Sequence, residues 1–350
     1  MGQTAETVAE RKRYDFIDIL RVVACFLVIV NHTASFVFLG AEPERGWFIC
    51  VTWHFISKVS VPVFVMITGY TLLDRQESYK KCGVRILRAA TALGVFSAGY
   101  YLYQWSIGDR VTISVVDFFL ALMESPLSLA HWYMYMYIGL LIMMPFLQKL
   151  VANLSKRDCE VFIALSLLIN GTWPIIEHWF KGYSFTNLVD FALFDSYIGI
   201  LLIGYYMKKY VAPSKKLLLG AVLCFVVCIV FNVLMTYQEY LLTSGVDYLF
   251  YDDRVLLPIV LQSASFFYIA QYIRLKGLAL KIVQIMAGCT FGIYLISDYV
   301  IRVTIPILGV LREKGVHAII AIVLYEIIVF GIGFVAVFIM KKIPLLKKIL

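Results

Sequence analysis

The run Ile17-Asp18-Ile19-Leu20-Arg21-Val22-Val23-Ala24-Cys25-Phe26-Leu27-Val28-Ile29-Val30-Asn31-His32 decides how the chain is read. With its flanks it is long enough to cross a bilayer, for which about 20 apolar residues suffice. It also carries an arginine near one end and a histidine near the other. A charge at membrane depth costs about 2.5–3.5 kcal/mol even on lenient scales. Ionisable groups kept there therefore point to function. Arg21 and His32 are 11 residues apart, which is about three helical turns and about 16 Å of rise. Both fall on one face of one helix. The plainer alternative is that Arg21 snorkels to the headgroups and His32 is a satisfied interior histidine.

The rest of the chain agrees with a membrane reading. Of 350 residues, 61% are hydrophobic and 15% charged, against about half and a quarter in soluble domains. The expected fold is all-α and polytopic, with about ten transmembrane helices. They are read at 15–39, 49–73, 89–106, 130–148, 161–180, 190–207, 217–236, 255–273, 282–305 and 317–340. A short basic segment, 1–14, precedes one membrane domain, 15–340, and a basic tail, 341–350, follows it. No cleavage site is evident, so the first span is expected to be retained. With so short a tail, no further domain is expected. The seven cysteines form no C-x-x-C pair, so neither a metal site nor a disulfide framework is expected.

The net charge of +8 reflects topology rather than a nucleic-acid surface. Of the 31 Lys and Arg, 22 fall in one alternating set of loops and both termini, and six fall in the other. The positive-inside rule then makes both termini cytoplasmic. Phe118-Phe-Leu-Ala-Leu-Met123 is too short to span and is interrupted by Glu124-Ser-Pro126. It reads as an interfacial or re-entrant piece on the outer side.

Several segments, in order, resemble the acyltransferase-3 family of integral membrane acyltransferases. Arg21, ten residues, then His32 matches its opening signature. Pro62-Val-Phe-Val-Met-Ile-Thr68-Gly69-Tyr70 is similar to its second-helix P-x-F-F-x-x-S-G-Y run. Arg85-Ile-Leu-Arg88 matches its cytoplasmic R-x-x-R. His131-Trp132-Tyr133-Met-Tyr135 with Pro145, Gly204-Tyr-Tyr-Met-Lys-Lys209 and Phe291-Gly292-Ile-Tyr294-Leu-Ile296 resemble three more. The likeness covers nearly the whole chain and is nearest to the surface-polysaccharide O-acetyltransferase branch. One departure stands out: where many members read His-Pro, this chain has Ser297-Asp298. Asp298 either replaces that histidine or pairs with Arg302 at i+4.

The resemblance implies transfer of an acyl group, acetyl by expectation, from cytoplasmic acyl-CoA to a hydroxyl on the outer side. The acceptor would be an envelope glycan or its precursor, and the setting the cytoplasmic membrane of a bacterium. Arg85 and Arg88 are suited to CoA phosphates because guanidinium offers a planar fork of donors; Arg21, Lys81 and Tyr70 join them as donor-site residues. His32 would act as general base or as a covalent acyl carrier. Asn31 would support it, and Asp18, at i−3 from Arg21, would orient the guanidinium. His54, Lys58, His131, Trp132, Tyr133, Glu177, Asp298 and Glu326 are expected to serve the acceptor, beside Trp53, Trp173, His178 and Trp179. Interfacial belts alone would also place Trp and Tyr there. Membrane lipid is an expected partner, and a homodimer is compatible with the sequence. The competing readings are an exporter of such a glycan and a catalytically silent membrane partner. The lack of a detectable internal repeat weakens the exporter.

Overall fold

The computed structural model describes residues 13–34, 45–180, 196–243 and 250–350. Most of the segment 1–14, the outer end of the 15–39 span and the start of the 190–207 span lie outside the described residues.

Every regular element among the described residues is helical. Helix α1, Asp15–Thr33, is one unbroken α-helix. Then come α2, Arg45–Ser57, and α3, Ser60–Leu72. The sequence reads these two as one span, 49–73. The break follows from Pro62, which has no N–H to give the carbonyl of Lys58 four residues back. Lys58 is thereby set at the joint.

Helix α4, Tyr79–Ser106, is 28 residues long and starts at an N-cap whose Ser78 hydroxyl accepts from the Lys81 amide. It contains the expected 89–106 span with Arg85 and Arg88 in its first turns. Helix α5, Val115–Glu124, is the apolar piece too short to span. Val115, Val116, Phe119, Leu120 and Met123 are exposed on it while Ala121 packs inward. A 3₁₀ turn, Leu129–His131, leads into α6, Trp132–Asn153.

The expected span 161–180 is three pieces: α7, Lys156–Ser166; a π-helical turn, Leu167–Thr172; and α8, Trp173–Trp179. Pro174 cannot donate to the Asn170 carbonyl, and the wider turn absorbs that gap. Helices α9, Ser196–Tyr210, and α10, Lys215–Thr243, follow. A 3₁₀ turn, Phe250–Asp252, then enters α11, Leu257–Ala270.

The 282–305 span is corrected. The chain breaks at Gly288-Cys289 between a short α12, Gly277–Ala287, and α13, Thr290–Glu313. Helices α14, Ala318–Met340, and α15, Pro344–Ile349, complete the described chain. Eight helical stretches among the described residues are long and apolar enough to cross a membrane. The chain is an all-α polytopic membrane protein.

Helix α1 is the hub. It packs against α2, α3, α11, α12, α13 and α14, with Leu20, Ala24, Ile29 and Val30 fully enclosed. Helices α3 and α9 make the most extensive pairing. Two glycines permit it. A Cβ on Gly69 would lie 1.9 Å from the Leu201 carbonyl oxygen, and one on Gly204 2.1 Å from that of Met66. Lipid supplies no hydrophobic drive between helices, so this close backbone approach is what holds them. Gly204→Ala is expected to cost about 1–3 kcal/mol by overpacking, read as a lower thermal midpoint in detergent. Gly94→Ala, where a Cβ meets nothing within 4 Å, leaves the midpoint level or raises it. Equal midpoints for the two variants would refute the close-contact account.

Candidate active site

At the end of the bundle where α4 begins, a cavity of about 450 Å³ opens, within the range of small-ligand sites. Helix α1 contributes Arg21, α4 contributes Arg85 and Arg88, and α6 contributes Tyr133 and Tyr137. Thr68 and Thr71 of α3 and Tyr294 of α13 complete the polar wall. Arg21 and the Arg85–Arg88 pair, distant in sequence, thus face one space.

Each arginine is held. Asp18 is buried and pairs with Arg21 at 3.6 Å and with Arg13 at 2.6 Å, the orienting contact expected of it. Arg85 grips Glu77 with both terminal nitrogens, Nη2 to Oε1 at 2.8 Å and Nη1 to Oε2 more closely still. That hydrogen-bonded guanidinium holds the Glu77 carboxyl below the usual carboxylate range. Arg88 Nε donates to the Ile349 carbonyl at 3.3 Å, which fastens α15 to α4. Lys81 and Tyr70 do not line the cavity. Lys81 is exposed, and Tyr70 packs edge-on to Tyr14 and Phe16 with ring centroids 5.4 Å apart.

About three turns along α1, His32 lies within Coulombic reach of Asp298, Lys58, Arg254 and His54. Its neighbour Asn31 has a buried Oδ1 without a hydrogen-bond partner among the described residues. Asp298 meets Arg302 Nε at 3.3 Å through both oxygens and accepts from the Ser128 hydroxyl at 2.9 Å. The i+4 pairing is present, and the same carboxylate lies within Coulombic reach of His32.

His54 and Lys58 converge on one atom from α2 and the following joint. His54 Nε2 is 2.6 Å and Lys58 Nζ 2.5 Å from Asp252 Oδ1. The Arg254 guanidinium lies over Trp132, 4.0 Å from the ring centroid. Cation–π contacts of this kind hold a guanidinium while leaving its N–H edge available.

Other residues expected to serve the acceptor have partners within the bundle. His131 is buried, with Nε2 on the Leu295 carbonyl and Nδ1 on the Ser97 hydroxyl, each at 3.1 Å. A carbonyl can only accept, so Nε2 donates and Nδ1 accepts. No ring nitrogen is left for a sugar. Glu326 is expected to face a cation or the acceptor. Instead Thr33 Oγ1 donates to it at 3.0 Å and Trp53 Nε1 at 2.9 Å. Glu177 accepts from Trp173 Nε1 at 2.9 Å. His178 pairs with Glu239 at 2.9 Å and stacks on Phe250, and Trp179 donates to the Tyr251 hydroxyl. Tyr133 lines the arginine-rich cavity rather than the opposite end.

Sequence reasoning did not find Glu77, Tyr137, Ser128, Asp252 or Arg254. For Asp252 there was a signal: Asp252-Asp253-Arg254 is a charged triplet against the apolar start of a span.

No curated protein and no solved structure matches the chain. A family model, Acyl_transf_3, described as an acyltransferase domain, matches residues 14–341. That stretch contains the three arginines, His32 and every cavity-lining residue except Leu350. The chain therefore belongs to the acyltransferase-3 family and is a multi-pass membrane acyltransferase.

Proposed function

We propose that the chain moves an acyl group, acetyl in the first instance, from acyl-CoA to a hydroxyl of an envelope glycan or similar acceptor. The observation that carries this reading is the placement of Arg21 and His32. One helix presents a cation to a cavity shared with Arg85 and Arg88, and an imidazole about three turns further on. CoA is a polyanion with a long thioester arm, and the arrangement matches both parts. The arginine-lined end would be cytoplasmic, as the distribution of Lys and Arg predicts. The membrane would be the cytoplasmic membrane of a bacterium.

Arg85 and Arg88 bind the phosphates of the donor with charge-assisted hydrogen bonds. Glu77 presents Arg85 as a rigid fork and yields it when phosphate arrives. Arg21, steadied by Asp18, guides the arm inward past Tyr133, Tyr137 and Tyr294. At the far end His32 takes the proton from the acceptor hydroxyl as its oxygen attacks the thioester carbonyl. The new C–O bond forms, the C–S bond breaks, and the sulfur leaves as the free thiol after taking up a proton. Asp298, within Coulombic reach of His32, favours the imidazolium formed in that step.

Arg85→Ala with Arg88→Ala is expected to weaken acetyl-CoA binding about 100-fold or more. A hydrogen bond to a charged group is worth about 1.5–3 kcal/mol, and about 1.4 kcal/mol is tenfold. Calorimetric titration of the purified variant in nanodiscs measures it. Wild-type affinity in a well-folded double variant would remove the donor site from this cavity.

A further inference from the structure

A second concavity lies on the lateral wall, between α7, α9, α10 and α11, with a volume of about 520 Å³. It shares no residue with the arginine-lined cavity. Ile163, Leu167, Ile203, Leu217, Leu261 and Ala264 make its walls. Such a surface in a bilayer takes hydrocarbon, because water there would find few polar partners. Two of the polar groups it contains are engaged with each other. Tyr206 donates to Glu160 at 2.6 Å, and Glu160 also pairs with Lys156 at 3.7 Å.

One end of the groove is defined by the segment leading into α10. The Ser214 amide donates to the Tyr268 hydroxyl at 3.0 Å, and Val211, Leu217 and Tyr268 all line the groove. Lys215 and Lys216 stand exposed in this fastened segment, with no ion pair among the described residues. The first turn of α10 carries no acidic residue. Two cations without an ion pair among the described residues thus border an apolar groove whose carboxylate, Glu160, is already paired with Lys156 and bonded to Tyr206. Their charge is complementary to a phosphate diester, and the groove to the chain attached to it.

We propose that this groove is a binding site for an anionic phospholipid, one acyl chain lying between α7, α9, α10 and α11 and the phosphate on Lys215 and Lys216. The site is independent of acyl transfer and stands whether or not the chemistry proposed above is right. Basic residues at a membrane surface each favour anionic lipid. The groove adds retention of a single molecule to that general preference.

The test uses the full chain, delipidated in detergent and examined by native mass spectrometry with phosphatidylglycerol or phosphatidylcholine of the same acyl chains. The wild type is expected to retain one phosphatidylglycerol with a preference of about tenfold or more. Lys215→Gln with Lys216→Gln brings the ratio near one. Gly220→Phe loses both lipids. Gly220 lines the groove and a Cβ there meets nothing within 4 Å, so the ring enters open space, and removing a mid-helix glycine supports the helix. Equal retention of the two lipids by the wild type overturns the proposal, as does unchanged retention in Gly220→Phe. Displacement of phosphatidylglycerol by a polyprenyl phosphate overturns it in favour of an isoprenoid occupant.

Discussion

His32→Ala lowers acyl transfer by about 10²- to 10⁴-fold, the usual contribution of a positioned general base, and leaves acetyl-CoA affinity unchanged. The two effects separate because the groups are separate. Arg85 and Arg88, proposed above to bind the donor, sit at the cavity, and His32 lies in the last turn of the helix that carries Arg21. Labelled acetyl-CoA incubated with wild type and variant reads both quantities, label transferred or slowly hydrolysed and label bound. Binding by both with turnover only by wild type supports a base at His32. Turnover that survives the substitution removes His32 from the chemistry and returns the plainer reading of a satisfied interior histidine. Label trapped covalently on the wild type, and absent from His32→Ala, would replace the base with an acyl-histidine intermediate.

Local patterns in the sequence carry the broad architecture. Apolar length and alternating loop charge are enough to locate α1, α10 and α14, because each is a long, apolar and unbroken helix. The Arg21–His32 face is legible for the same reason, since helical periodicity relates residues within one element. The breaks are harder to see. Pro62 and Pro174 interrupt apolar runs without changing their hydropathy, so 49–73 and 161–180 look continuous while their hydrogen-bond ladders are not. Partnerships across the bundle are not legible at all. Lys58 meets Asp252 from 194 positions away in sequence, and Glu326 meets Thr33 from 293. His131 looks like a sugar ligand beside Trp132 because nothing local announces Ser97 and the Leu295 carbonyl as its partners. Charged and polar residues at depth are expected from the sequence to serve catalysis and substrate; their partnerships with each other are set by tertiary contacts that no local pattern announces.

The Asp252 cluster is where that distinction has its largest energetic consequence. Asp252→Ala leaves Lys58, whose side chain is only 4% exposed, without its counter-charge and beside His54. Breaking a buried pair from one side typically costs about 3–5 kcal/mol, because the remaining charge stays desolvated. A drop in thermal midpoint well beyond that of an ordinary surface substitution is expected. Lys58→Met added to Asp252→Ala should recover much of it, since a pair replaced by apolar groups is often near neutral. A small loss in Asp252→Ala alone would mean that water reaches Lys58 and the pair is not a structural element. If the loss is large and the double variant is restored in stability, its activity becomes informative. Full acyl transfer would confine Lys58 and Asp252 to holding α2 against the turn before α11. A stable but inactive double variant would show that the charges beside His32 are used on the acceptor, which is the role that stability measurements alone could not assign to Lys58.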